Sequence, residues 1–232
     1  MIQFRDRGAR GRNRNAMVDA YHTFSFADFN DPQHMGFRDL RVLNEDVVMP
    51  GVGFPEHGHE NMEIVTLVLK GSVAHHDSLG NERLIRAGDV QRISAGTGIR
   101  HSEMNPSTDE RAHALQIWII PAEPGGEPSY DQKAFPTDER RNQWIGVASG
   151  DGEAGALRLG QDAHLALARL DQGRNVDREL SPKRGYWVQV IAGIIGLNGT
   201  EMREGDGAAM TADSRLLIEA ETDAEVLVID LP

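Results

Sequence analysis

The sequence predicts an all-β protein built from two similar β-sandwich or barrel domains in tandem. Three observations point there. Proline and glycine punctuate the 232-residue chain about every eight to twelve residues, the spacing of turns in a strand-rich fold. Between them lie short runs rich in β-branched and aliphatic residues: DLRVL (39–43), EIVTLVL (63–69), DVQRIS (89–94), LQIWII (115–120), YWVQVI (186–191), RLLIEA (215–220) and EVLVIDL (225–231). Finally, the two halves repeat one another, while few stretches hold a helical period.

Taken in order, the chain opens on Arg5, Arg7, Arg10, Arg12 and Arg14 interleaved with glycine and asparagine, which reads as a solvated, loosely ordered entry segment. An aromatic alternation follows, Phe24, Phe26 and Phe29, flanked by His22 and His34; it reads as core packing rather than a substrate cage. PAEPGGEPSYD (121–131) is polar and carries three prolines and two glycines, the composition of a linker. TDERRNQW (137–144) has room for a helical turn or two. In the repeat, strands end at Gly71 and Gly193, turns follow at Gly80-Asn81 and Asn198-Gly199, and Gly88-Asp89 and Gly205-Asp206 open the next strands. Each half closes on an apolar strand and a proline, LQIWIIP and VLVIDLP. The expected domains are 1–125 and 126–232.

Composition bounds the function. Hydrophobic residues are 39% and charged residues 26%, ordinary for a soluble globular chain long enough to bury a core. No apolar run approaches the roughly eighteen residues of a membrane span, and the first residues lack the apolar stretch of a signal peptide, so the expected setting is cytoplasmic, with no membrane partner. There is no cysteine, which excludes disulfides, thiolate metal sites and cysteine nucleophiles. The net charge of −12 argues against direct nucleic-acid binding. No nucleophile elbow or dinucleotide fingerprint is present; GTGIRH lacks the required glycine spacing.

The chemistry concentrates in HGHENME (57–63) and GIRHSEMN (98–105). His57 and His59 form one i, i+2 pair, and His101 and Glu103 another. On a strand such pairs share a face, so two adjacent strands would aim three imidazoles and a carboxylate at one point, a ligand set for a divalent transition metal. Glu63 is an alternative fourth ligand. It lies four residues beyond His59, roughly 13 Å along an extended strand, and would need a bend, whereas Glu103 needs none; Glu103 is favoured and Glu63 then hydrogen-bonds around the site. A metal-free cluster of this kind would carry a heavy desolvation cost. The second half lacks the set: the same offsets fall on Glu179, Ser181 and Ile218, and of nine histidines only His164 lies beyond position 113.

The ordered series Gly51, Gly53, His57, His59, Glu63, Gly71, then Gly88, Gly96, His101, Asn105 resembles the double signature of the cupin superfamily. It departs from it in a longer spacer before His101 and in Ser94 standing where a proline is usual. Those departures, with HTFSFADF (22–29), HGHENMEIVTLVLKG (57–71) and SAGTGIRHSEMNPS (94–107), resemble the pirin family over nearly the whole chain. The resemblance implies a bicupin of jelly-roll barrels or sandwiches whose second domain holds no metal. It implies Fe(II), or another divalent transition metal, bound by His57, His59, His101 and Glu103. It also implies quercetin 2,3-dioxygenase activity: Glu103 takes the flavonol hydroxyl proton as general base, and reaction with O2 opens the central ring and releases carbon monoxide. The alternative is a metal-dependent regulatory module acting through a protein partner, as some eukaryotic relatives are implicated to be. The partners expected are a flavonol or related phenol and O2, and a monomer suffices.

Weaker candidates remain. His75-His76-Asp77 reads as a strand end, with a second site the less favoured reading. Gln116 is a candidate cavity residue and stands at opposite parity to His113. Met35, Phe37, Phe54, Met62 and Met104 are candidate pocket walls.

Overall fold

The computed structural model describes residues 1–152 and 155–232. In chain order the first strands are β1 (Ile2–Arg5), β2 (Gly11–Arg14), β3 (Val18–His22), β4 (Leu40–Val48), β5 (Gly53–His59), β6 (Glu63–Lys70), β7 (Ser72–Asp77), β8 (Glu82–Arg86), β9 (Asp89–Ser94), β10 (Ile99–Met104), β11 (Ala112–Ile119) and β12 (Ser129–Ala134). They are followed by β13 (Ile145–Ser149), β14 (Leu157–Arg158), β15 (His164–Leu170), β16 (Asn175–Glu179), β17 (Gly185–Ala192), β18 (Ile194–Leu197), β19 (Thr200–Arg203), β20 (Gly207–Thr211), β21 (Arg215–Ala220) and β22 (Ala224–Leu231). Two short 3-10 turns, Arg7–Ala9 and Thr137–Arg140, are the helical elements among the described residues.

Two compact units form. The first comprises Gly11–Phe135 and Leu157–Gln161; the second comprises Met1–Arg10, Pro136–Ala156 and Asp162–Pro232. In the first unit one sheet runs β12-β9-β6-β11-β4-β3-β2 and the other β5-β10-β7-β8. Within the second unit the sheets run β1-β20-β17-β22-β15-β13 and β16-β21-β18-β19. Adding eleven to each strand number of β9-β6-β11-β4 and of β5-β10-β7-β8 reproduces the second unit's orders, so the repeat read from glycine positions is a repeat of topology. Both units are antiparallel sandwiches of the cupin kind rather than closed barrels.

The strands follow from their residues. EIVTLVL is a continuous apolar run, and β6 is accordingly buried on both faces from Glu63 to Val68. β10 alternates: Ile99, His101 and Glu103 are buried while Arg100 is exposed, the period of a half-buried strand. Gly71 ends β6 with φ at 70°, and a Cβ there would stand 2.6 Å from the carbonyl oxygen of Arg111, so this turn requires glycine. In the first unit apolar residues cluster around Val18, Ala20, Val68, Val73 and Ile85, and again around Ile64, Ile93 and Ile99 with Trp118 and Tyr130 at the edge. In the second unit an apolar cluster includes Ile195, Leu197, Leu216 and Ile218. Ile218, the counterpart of His101, is fully buried there.

Two local expectations change. The arginine-rich opening is ordered: β1 pairs with β20 (Ile2↔Met210 through Arg5↔Gly207) and β2 with β3. Residues 1–10 therefore pack with the second unit rather than with the half that follows them in sequence. The polar break is also shorter than its composition suggests, because Ser129–Ala134 is strand β12, paired with β9 from Ser129↔Ser94 to Ala134↔Asp89.

Candidate metal centre

The site is set by how β10 sits between its neighbours. It pairs with β5 so that His101 faces His57, and a bulge between His101 and Glu103 brings Glu103 opposite Phe54. On its other side His101 faces Asp77 and Glu103 faces His75 of β7. Gly53 makes the bulge possible, since a Cβ there would collide with the backbone of Glu103 and Met104. The rings of His57, His59 and His101 converge, with centroids 4.8 Å (57–59), 4.5 Å (57–101) and 4.9 Å (59–101) apart.

These separations test whether one ion fits. With a metal–nitrogen bond of about 2.1 Å, a ring centroid lies about 3.2 Å from the ion. Two rings at right angles then have centroids about 4.5 Å apart, and two at a tetrahedral angle about 5.2 Å. The observed 4.5 to 4.9 Å are short enough for all three rings to reach one ion, and their ligand atoms lie within 4.8 Å of one another. The nitrogens are ready as donors. His57 Nδ1 is 2.8 Å from the Pro55 carbonyl oxygen, so Nδ1 carries a proton and Nε2 is the nitrogen left to face an ion. His59 Nε2 and both nitrogens of His101 are buried without a hydrogen-bond partner, a cost that a bound cation would relieve. Burial, then the neighbouring rings, pushes His59 down to about 4 and His101 down to about 3, so both rings are neutral at pH 7, the form that can give a lone pair to a metal.

Glu103 lies beside them, grouped with His101 and His75. Its Oε1 accepts from Gln91 Nε2 at 2.9 Å and its Oε2 from Gln116 Nε2 at 2.8 Å. Gln116 is itself oriented by Trp118, whose Nε1 donates to Gln116 Oε1 at 3.0 Å. Trp118 also stands edge-on to His59, centroids 4.8 Å apart. Glu63 is elsewhere. The chain turns between His59 and Glu63 and crosses from one sheet to the other, so strand parity does not carry over. Thr66 faces the Gln91 amide at 3.3 Å, while Glu63, on the other face of β6, accepts from Ser94 Oγ at 2.8 Å and from the backbone of Gly160. Burial raises its pKa.

A cavity of about 360 Å³ opens onto His57, His59, Glu103, Gln116 and Trp118. Its other walls include Val18, Ala20, Phe26 and Phe54. Of the aromatic run, Phe24 is core as expected, but Phe26 is a cavity wall, edge-on to Trp118 at 5.5 Å. Among the other expected walls, Phe54 lines this cavity, Met62 packs on the Ile64 cluster, and Met35 is exposed. His113 pairs with Glu45 at 2.9 Å and does not line it. Sequence reading did not single out Gln91, whose signal is a polar residue at inward parity in the apolar strand DVQRIS. Asp46, also in the cavity wall, is pushed up to about 7 by burial, then by Glu103 and Glu45.

These shifts give the metal-free protein a defined acid response. Unfolded histidines titrate near 6.5, so for His59 and His101 the unfolded chain binds more protons as pH falls below that value. Their contribution to stability is present above about 6.5 and lost as pH falls towards about 4 and 3. Asp46 acts oppositely: its contribution is present below about 3.8 and lost as pH rises through about 7. Urea melts between pH 6.5 and 4.5 are expected to show falling stability, flattened by His101→Leu and steepened by Asp46→Asn. A flat wild-type profile would show that the rings are not held neutral.

Family comparison agrees with the fold. Residues 3–119 match the Pirin model and residues 146–231 the model of a quercetinase C-terminal cupin domain. The chain belongs to the pirin family. It is 43% identical over 232 residues to quercetin 2,3-dioxygenase of Escherichia coli K12, covering 100% of this chain and 99% of that protein. It is 40% identical over 214 residues to a pirin-like protein of Caulobacter vibrioides, covering 92% of each. The crystal structure of the bacterial pirin YhhW from Escherichia coli in complex with nickel(II) superposes with a TM-score of 0.95 at 43% identity, covering 100% of this chain and 99% of that one.

Proposed function

We propose that this pirin is a metal-dependent dioxygenase that opens the central ring of flavonols such as quercetin, consuming O2 and releasing carbon monoxide. The observation that carries the reading is the convergence of the His57, His59 and His101 rings beside a largely apolar cavity that His57, His59 and Glu103 line. His57, His59, His101 and Glu103 would hold the ion; we propose Fe(II), in a ligand set that accepts other divalent metals, consistent with the nickel(II) complex of the E. coli relative. Bound there, the metal supplies Lewis acidity that lowers a phenol's pKa and holds two reactants at one point.

The chain's own residues do the rest. A cavity of about 360 Å³ lies within the roughly 300–1,000 Å³ of small-molecule sites. Phe26 and Trp118 offer ring edges and faces to a flat aromatic substrate. Glu103 accepts the proton of the flavonol 3-hydroxyl, leaving an electron-rich flavonolate to react with O2. Gln91 and Gln116 fix both carboxylate oxygens of Glu103, so the base is aimed before substrate arrives. Apolar walls limit water at the activated ring.

The test is direct. Iron-loaded protein mixed with quercetin in air is expected to bleach the visible flavonol absorbance with matched O2 uptake and carbon monoxide release. No bleaching across a flavonol panel, with metal bound, would reject the dioxygenase reading.

A further inference from the structure

Behind His101, on the side away from His57, lies a second buried pair that the proposed chemistry does not use. His75 and Asp77 are neighbours on the inner face of β7, both buried. His75 Nε2 is 2.8 Å from Asp77 Oδ2. Asp77 is fixed in turn: its Oδ1 accepts from the backbone N–H groups of Leu79 (2.9 Å) and Asn81 (3.0 Å), and its Oδ2 from Asn81 Nδ2 (2.9 Å). Tyr130 stacks on the His75 ring at 4.6 Å. The ring is thus held in place and in orientation, with one nitrogen, Nδ1, buried and without a partner.

A carboxylate only accepts hydrogen bonds. His75 therefore carries a proton on Nε2, and in the neutral tautomer this selects, Nδ1 presents a lone pair. His101 has the complementary need. Once one of its nitrogens gives its lone pair to a metal, the neutral ring carries a proton on the other, and that N–H is buried, the residue being 1% exposed, while neither His101 nitrogen has a hydrogen-bond partner in the metal-free structure. The His75 and His101 centroids are 5.4 Å apart; a direct N–H···N bond of about 2.9 Å puts two imidazole centroids about 5.2 Å apart.

We propose that Asp77 and His75 form a positioning chain behind the metal centre, in which the Asp77 carboxylate fixes the tautomer of His75 and the His75 Nδ1 lone pair accepts the N–H of metal-bound His101. Neither residue touches the substrate. The chain selects which nitrogen of His101 faces the ion and raises that ring's basicity, as outer hydrogen-bond partners of metal-bound histidines do. Burial opposes ionisation of Asp77, but the hydrogen bonds from His75 and Asn81 keep its pKa below the usual range, so the carboxylate the chain needs persists at neutral pH. The inference rests on His101 being a metal ligand, as proposed above.

The experiment uses the whole protein with nickel(II) for affinity and zinc(II) for NMR. His75→Ala and Asp77→Asn are each expected to weaken nickel(II) binding by about 10–100-fold. His75→Asn, whose side-chain oxygen takes the place of Nδ1 as an acceptor, is expected to recover most of that loss. Asp77→Asn is the sharper variant: it keeps an oxygen for the Leu79 and Asn81 backbone groups but turns a donor towards His75, reversing the tautomer without removing a ring. In the zinc-loaded wild type, long-range proton–nitrogen spectra are expected to show His75 protonated on Nε2 and unmetallated, a readout that needs no variant. Wild-type binding with Asp77→Asn equally tight, His75 protonated on Nδ1, or His75 itself on the ion would each overturn the chain while leaving the metal site standing. A wild type that binds no divalent ion overturns the metal reading and the chain together.

Discussion

Replacing His101 with alanine is expected to abolish metal binding while leaving the metal-free fold nearly as stable as before. The two halves of that expectation have one cause. His101 is 1% exposed and neither of its ring nitrogens has a hydrogen-bond partner. In the absence of metal the imidazole is a buried polar group whose desolvation is uncompensated, worth about 1–3 kcal/mol. Truncation removes that penalty while forfeiting packing of similar size. With metal the balance reverses. His101 is the ring that faces His57 across β5 and closes the triangle of centroids; without it His57 and His59 remain as an i, i+2 pair on one strand. Affinity is expected to fall by about 1,000-fold or more, since most of the binding free energy of such a site depends on the full ligand set. Paired thermal melts check this. Wild type should gain roughly 2.7 kcal/mol when free metal stands at about 100 times Kd, and His101→Ala should gain nothing at the same concentration. Equal metal-induced stabilisation in both proteins would remove His101 from the ligand set.

The legible part of this protein was what depends on short-range pattern. The i, i+2 parity of His57 with His59 and of His101 with Glu103 needed only the geometry of a strand. The turns at Gly71 and Gly193, and the apolar runs EIVTLVL and EVLVIDL, fixed strand ends and a two-fold repeat by local chemistry. What stayed hidden depends on register between distant strands. Nothing near Ile2 announces that it pairs with Met210. Gln91 looks like an ordinary polar residue until β9 brings it to Glu103, and His75 like a strand end until β7 places it opposite Glu103 with its ring against that of His101. Glu63 shows the limit most clearly. Counting from His59 assumes one continuous strand, but β5 and β6 belong to different sheets, and the count loses its meaning at the turn between them.

The same register decides what Glu103→Gln should do, and it gives the second large effect. Turnover of iron-loaded protein is expected to fall by about 10²–10⁴-fold, the range that a positioned general base supplies, with the fold intact. An amide is the same shape as the carboxylate but cannot take the flavonol proton. Its N–H₂ also meets neighbours that now donate to both carboxylate oxygens. Gln116 cannot easily turn round to receive it, because its own oxygen accepts from Trp118. Gln91 can, because its side-chain oxygen has no partner. The substituted amide is therefore expected to keep its oxygen towards Gln116 and to donate to a flipped Gln91, with the Thr66 hydroxyl turning from acceptor to donor across its 3.3 Å contact with Gln91. This accommodation makes Glu103→Gln a cleaner probe than Glu103→Ala, which would strand both glutamine amides over a void. Oxygen-electrode rates and metal content measured on the same preparations separate loss of the base from loss of the ion. Full turnover in a metal-loaded Glu103→Gln protein would transfer the proton to some other acceptor, and the cavity offers Asp46, a buried carboxyl held near pH 7, as the group to replace next.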